Sequence, residues 1–274
     1  MLAAAVIVLR ESFEAALLIG IIAAATRSIP GRGRWIGGGI AMGLAGACVV
    51  AALTGEIASL FDGAGQELFN VSILVIAVAM LGWHNVWMAA HGAEMSADAR
   101  RVGHEVEEGK RELSTVLVVI AMAVLREGSE TVLFLYGLLT SGETTTGSVI
   151  GGAALGLIAG AALGLVLYSG IVRIPMRWFF SVTAGLILLI AAGMASRIAQ
   201  LLIQADLLPS LKTPVWDTSS LLPTDSLIGN VLHVLIGYEA APSGMQVVFY
   251  AVTALMILAG MWSVRRTPAL RPAH

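Results

Sequence analysis

Charged residues are scarce in this chain. Asp, Glu, Lys and Arg together make up 12% of its 274 residues, about half of the roughly 25% typical of a soluble globular domain. With 57% hydrophobic residues and a mean hydropathy of +0.86, the composition excludes an ordinary water-soluble domain and indicates a membrane protein. Cysteine is nearly absent as well. Cys48 stands alone in an apolar run, which excludes an intramolecular disulfide and a cysteine-based metal cluster and predicts a packed helix residue. The first apolar stretch lacks a basic leading region and is interrupted by Arg10, Glu11 and Glu14. Residues 1–26 are therefore expected to be a mature first helix and not a signal peptide.

What the chain has in abundance is long apolar segments and glycine, 31 in all. A helix that spans a bilayer needs about 20 mostly apolar residues. Such segments are expected near 3–26, 35–60, 67–91, 113–140, 146–172, 176–205 and 243–264. Glycine at this frequency suits helices packed backbone to backbone in lipid. Residues 92–112 are strongly charged and read as an aqueous loop or short exposed helix. Residues 206–242 hold four of the eight prolines and a short apolar piece around 227–237, too short to span.

The bases are distributed unevenly. Arg27, Arg32 and Arg34 follow span one; Arg100, Arg101, Lys110 and Arg111 follow span three. Arg173 and Arg177 follow span five, and Arg265, Arg266 and Arg271 follow span seven. With alternating spans all of these fall on one side, and Lys212 alone falls on the other. The positive-inside rule then predicts an outer N-terminus and a cytoplasmic C-terminus. The expected outer face carries Glu56, Asp62, Glu67, Glu143, Asp206, Asp217, Asp225 and Glu239, an arrangement that would raise the local cation concentration.

One pattern occurs twice. Residues 5–18 (AVIVLRESFEAALL) align without gaps to 121–134 (AMAVLREGSETVLF), pairing Ala5, Val8, Arg10, Glu11 and Glu14 with Ala121, Val124, Arg126, Glu127 and Glu130. In the following span of each half, Gly38, Gly39 and Gly43 match Gly151, Gly152 and Gly156. A repeat of three spans is odd, so the two halves must insert with opposite orientation. Inverted repeats of this kind put a transporter's site near the midplane, at their interface.

The shared core of both copies is Arg-Glu-x-x-Glu. On a helix, Arg10, Glu11 and Glu14 fall within one arc of about 100°, as do Arg126, Glu127 and Glu130. A charged residue in mid-membrane costs roughly 2.5–3.5 kcal/mol, which makes ionisable residues there a functional signal. Facing each other, the copies would offer the carboxylates of Glu11, Glu14, Glu127 and Glu130, with Arg10 and Arg126 supporting them. Hard oxygen donors with net negative charge suit a metal cation. Two alternatives remain at this point. One is a pair of purely structural Arg–Glu bridges. The other is a di-iron carboxylate redox enzyme, which would use Glu-x-x-His motifs that neither copy contains. Weaker candidates for a cation path are His84 and His91, which lie with Met88 on one face of span three, Arg197 in span six, and Asp217 in the outer loop.

Paired Arg-Glu-x-x-Glu motifs in the first and fourth spans resemble the oxidase-dependent iron permease family, which includes fungal high-affinity iron permeases and bacterial EfeU-type ferrous iron permeases. Trp216-Asp217-Thr218-Ser219, Gly237-Tyr238 and Pro242-Ser243 also resemble that family's outer loop and entry to its last span. The resemblance covers essentially the whole chain. It implies iron uptake across a bacterial inner membrane, with ferrous iron oxidised outside and passed on as ferric ion. It implies ligands among the two motifs, no prosthetic group and no enzymatic activity. The implied partners are iron, a separate extracytoplasmic oxidase or iron-delivery protein, and the lipid bilayer. No nucleic-acid partner is expected, and a homo-oligomer is left open. Unlike in the fungal members, no long tail is expected, and the outer Asp-x-x-Glu motif is not matched, because the stretch starting at Asp217 ends in Ser220. A divalent-metal permease for lead or manganese on the same scaffold is the nearest alternative.

The expected fold class is thus an all-α integral membrane protein with seven transmembrane helices, two inverted three-helix repeats plus one extra C-terminal helix. The expected organisation is a single membrane domain over 1–274. Repeat one covers 1–91, a cytoplasmic loop 92–112 and repeat two 113–205. An outer loop at 206–242, the seventh helix at 243–264 and a cytoplasmic tail at 265–274 complete it.

Overall fold

A computed structural model describes residues 1–59, 66–142, 144–169, 176–224 and 226–266. Among the expected landmarks, Asp62, Glu143, Asp225, Arg173 and residues 267–274 of the tail lie outside the described residues. All regular structure among the described residues is helical: α1 (Leu2–Ala25), α2 (Arg32–Ser59), α3 (Gln66–Glu107), α4 (Leu113–Thr140), α5 (Thr146–Tyr168), α6 (Met176–Gln204), α7 (Leu227–Ile236) and α8 (Gly244–Arg266). Parts of α2, α3, α5, α6 and α8 are long and apolar enough to cross a membrane by length and composition. The 24-residue α1 and 28-residue α4 are of comparable length, but each carries three ionisable residues in mid-helix. Large apolar side chains on these helices face outward, among them Trp83, Ile158, Leu165 and Trp262. Lipid contact requires such an exterior.

The chain divides into two compact units, Met1–Ile73 with Glu94–Thr183, and Leu74–Ala93 with Ala184–His274. In the first unit α1 packs on α5, α2 packs on α4, and α1 also meets α4. Small residues make the first two contacts close. Gly152, Gly156, Gly160 and Gly164 recur every fourth residue on the buried face of α5. A Cβ on Gly156 would lie 2.5 Å from the Ala5 carbonyl oxygen and 3.0 Å from Val8 Cβ. A Cβ on Gly43 of α2 would lie 2.7 Å from the Ala121 carbonyl oxygen and 2.6 Å from Val124 Cβ. Neither site admits anything larger than hydrogen. Gly43 and Gly156 are aligned positions in the sequence, as are Ala5 with Ala121 and Val8 with Val124. The same contact is therefore made twice with matching residues.

Of the two forms expected for residues 92–112, an aqueous loop or a short exposed helix, the helical one is seen as far as Glu107, as a continuation of α3. Ala99, Gly103 and Val106 form a buried stripe on this extension, and Ala99 and Val106 pack with Ile22, Val116 and Ile120. The charges occupy the other face. Gly109, at φ +73°, ends the helix. Its N–H donates to the Val106 carbonyl and that of Lys110 to the Glu105 carbonyl, closing a Schellman turn. Cys48 departs from expectation: it is exposed on α2 and not packed.

In the second unit, Gly82 of α3 faces Ile257 of α8, and Gly260 of α8 faces Val86. The short apolar piece forms α7, ten residues ended by Gly237 at φ +68°. Backbone bonds from the Val215 N–H to Pro242 and from the Thr218 N–H to Ala240 fold the loop at 206–242 on itself, and the Gly244 N–H at the start of α8 donates to the Lys212 carbonyl. A reciprocal capping box opens α8: the Ser243 N–H donates to Gln246 Oε1 at 2.8 Å and the Gln246 N–H to Ser243 Oγ at 3.3 Å.

Candidate functional site

The motif helices hold their charged residues in the same way. Arg10 and Glu14 are one turn apart on α1, and Arg10 Nε donates to Glu14 Oε1 at 2.8 Å. Arg126 and Glu130 repeat this on α4 at 3.0 Å, with Glu127 Oε1 3.8 Å from Arg126 Nε. Pairing at i, i+4 follows directly from helical spacing. The middle residues of the motifs are Glu11 and Glu127. Both are deeply buried, at 1% and 3% exposure.

Because α1 meets α4, the copies converge. One carboxylate oxygen from each of Glu11, Glu127 and Glu130 lies within 4.8 Å of the others. Glu14, the fourth expected carboxylate, stands outside that group and remains on Arg10. Two unit negative charges at such a separation repel by on the order of 3 kcal/mol, taking an effective dielectric of ~20. Three carboxyl groups this close in an apolar protein favour a proton or a cation among them. Their oxygens are hard donors, suited to a hard or borderline metal ion.

The remaining candidates lie on other elements. His84 is buried on α3 in the second unit. His91 is exposed, stacks on Trp87 with ring centroids 4.9 Å apart, and bonds through Nδ1 to the Trp87 carbonyl oxygen at 3.1 Å. Arg197 on α6 donates to Gln200 Oε1 at 2.8 Å, and Gln246 reaches the same oxygen at 3.5 Å. Asp217 is exposed in the outer loop. Hydrogen bonds from the Ser219 hydroxyl and N–H hold its carboxyl below the ordinary carboxylate range. Asn85, beside His84, was not among the expected residues. It is buried at 1% exposure, and its only sequence signal is a side-chain amide within an apolar span.

A family model described as the iron permease FTR1 family matches residues 1–264. Three similar proteins carry the name "Ferrous iron permease EfeU". That of Shigella sonnei (strain Ss046) is 31% identical over 260 residues, covering 92% of this chain and 93% of its own. That of Escherichia coli O6:H1 is 32% identical, covering 91% and 92%. That of Yersinia pestis is 30% identical, covering 90% and 88%. No solved structure matches the chain. With apolar helices of spanning length and a family match along nearly its whole sequence, the chain belongs to the iron permease FTR1 family and is a multi-pass membrane permease.

Proposed function

We propose that the protein imports iron across a bacterial inner membrane through a site built from both Arg-Glu-x-x-Glu motifs. The observation that carries this reading is the approach, within 4.8 Å, of carboxylate oxygens from Glu11 on one motif helix and Glu127 and Glu130 on the other. An incoming cation exchanges part of its water shell for these oxygens, and its charge relieves their mutual repulsion. Arg10 and Arg126 each donate to one oxygen of Glu14 and Glu130 and so orient these carboxylates. Ferrous iron, the metal in the relatives' printed name, is oxidised outside the membrane by a separate protein and passes through as ferric ion.

In the proposed arrangement α1–α6 and α8 cross the bilayer as two inverted three-helix repeats plus one, with the N-terminus outside and the C-terminus in the cytoplasm. The duplicated contacts at Gly43 and Gly156 support the repeat, and the one-sided bases support the orientation.

Radio-iron uptake into iron-starved cells or proteoliposomes tests the function, with ferrous iron, ferric iron, lead and manganese compared. Glu14→Gln and Glu130→Gln should each lower iron uptake by about 10–100-fold at equal membrane abundance. Uptake unaffected by both changes would remove the motifs from the path. Preferential uptake of lead or manganese would reassign the substrate.

A further inference from the structure

The second unit holds a polar group that the carboxylate chemistry does not use. Leu74, Ala77, Leu81, His84 and Asn85 form one buried stripe along α3, at the spacing of a packed helix face. An apolar side chain at position 85 would simply continue that stripe. Asn85 instead donates Nδ2 to the Ala184 carbonyl oxygen of α6 at 2.9 Å. This bond decides how the amide is turned: its nitrogen faces α6 and Oδ1 points the other way. There Oδ1 is buried with no hydrogen-bond partner among the described residues.

Such an acceptor is costly in a span, where no bulk water can satisfy it. The Nδ2 contact does not account for its presence. The Ala184 carbonyl already belongs to the helical ladder of α6, so replacing Asn85 with an apolar residue would strand nothing and would remove the orphaned oxygen. Buried polar atoms left unsatisfied call for a specific explanation, and an arriving ligand is one.

The chemistry of Oδ1 limits what can arrive. A carbonyl-type oxygen only accepts, so it repels anions and receives either a cation or the hydrogen of a cation's bound water. Being neutral, it holds the ion less tightly than a carboxylate does, which suits a position that an ion must also leave. His84 is adjacent on the same buried stripe and adds a ring nitrogen of the type that binds borderline metal ions.

We propose that Asn85 is a contact point on the cation's path through the second unit. Its amide oxygen takes the iron ion, or a water of its hydration shell, in passing. This inference rests on the permease reading above and adds a neutral oxygen to the carboxylates of the motifs.

The test uses full-length protein in proteoliposomes, with initial radio-iron uptake measured against iron concentration, and thermal unfolding measured on the same preparations. Asn85→Leu should unfold at a temperature no lower than wild type while its maximal uptake falls by about tenfold or more. Asn85→Asp should lower both the half-saturating iron concentration and the maximal rate, because a charged oxygen retains the ion. A packing role would not produce that second signature. Wild-type uptake by Asn85→Leu would overturn the inference and leave the permease reading intact. So would a parallel loss of stability and uptake in Asn85→Leu with an unchanged half-saturating concentration in Asn85→Asp. Should Asn85→Leu not reconstitute, the Asn85→Asp half-saturation decides alone. Wild-type vesicles that take up no iron would sink the permease reading, and this inference with it.

Discussion

On α1, the Arg10–Glu14 pair is 2.8 Å long, with side chains 2% and 5% exposed; on α4, the Arg126–Glu130 pair is 3.0 Å long, with side chains 36% and 16% exposed. The bond is the same, and its surroundings are not. Arg126 Nη1 lies 3.9 Å from the Met95 sulfur and has solvent access. Arg10 Nη1 is buried without a hydrogen-bond partner among the described residues. The motif thus specifies the ion pair through helical spacing, while neighbouring helices specify how dry it is. A dry pair and a wet pair differ greatly in what their loss costs. The attraction and the desolvation penalty both grow as water is removed, and only the buried pair leaves a stranded charge when one partner goes.

The largest effect follows from that difference. Arg10→Ala should destabilise the purified protein by about 3–5 kcal/mol, because Glu14 is left buried without its guanidinium. Arg126→Ala should cost less than Arg10→Ala, since the Arg126 guanidinium is partly hydrated, although Glu127 and Glu130 also lose their counter-charge. Denaturant unfolding in detergent micelles, or in bilayer nanodiscs, reads both. Equal losses would mean that the two copies share one environment, and the comparison would fail.

A second effect tests where the halves are alike. Gly43 and Gly156 each face a carbonyl oxygen and a valine Cβ at matching positions, whereas Gly37 and Gly151 have open space where a Cβ would go. Gly43→Val and Gly156→Val should each destabilise the protein by about 1–3 kcal/mol through overpacking. Gly37→Val and Gly151→Val, on exposed or open helix surface, should stay within about 0.5 kcal/mol. A large cost at Gly156 with none at Gly43 would show that the paired contacts carry unequal weight. Unfolding of the four variants under one set of conditions makes the comparison.

Much of this was legible beforehand, for local reasons. Apolar run length outlines the helices, the short piece at 227–237 is α7, and the repeated Arg-Glu-x-x-Glu identifies residues that converge. What escaped depends on neighbours. The extension of α3 was hidden because Ala99, Gly103 and Val106 are a thin stripe among many charges. An apolar run does not tell a packed Cys48 from the exposed one found here, because lipid lets apolar residues face outward. That Glu14 stays with Arg10 while Glu11 joins the cluster is set by how α1 meets α4, which periodicity does not encode. The orphaned oxygen of Asn85 is visible only once its Nδ2 partner on α6 is known.

The smallest effect lies at the turn after α3, where Lys110 Nζ and Glu108 Oε2 are 2.6 Å apart with both side chains largely exposed. The pair is shorter than either motif bridge, so distance alone would rank it as the strongest. Exposure reverses that ranking, because water and salt screen the charges and two long side chains lose freedom in pairing. Hydrogen bonding to Lys110 lowers the Glu108 carboxyl from its ordinary 4.5, and the same bond raises the Lys110 ammonium from 10.5. A depressed acid contributes above its unfolded pKa and loses that contribution as pH falls through the folded value. A raised base contributes below its unfolded pKa and loses it as pH rises through the folded value. Between those limits the contribution is constant. The melting temperature of Lys110→Met should therefore differ from wild type by a small amount that is flat from about pH 5 to pH 10 and is abolished by molar salt. A difference as large as that for Arg10→Ala would mean that bridge length, and not burial, decides what an ion pair contributes in this protein.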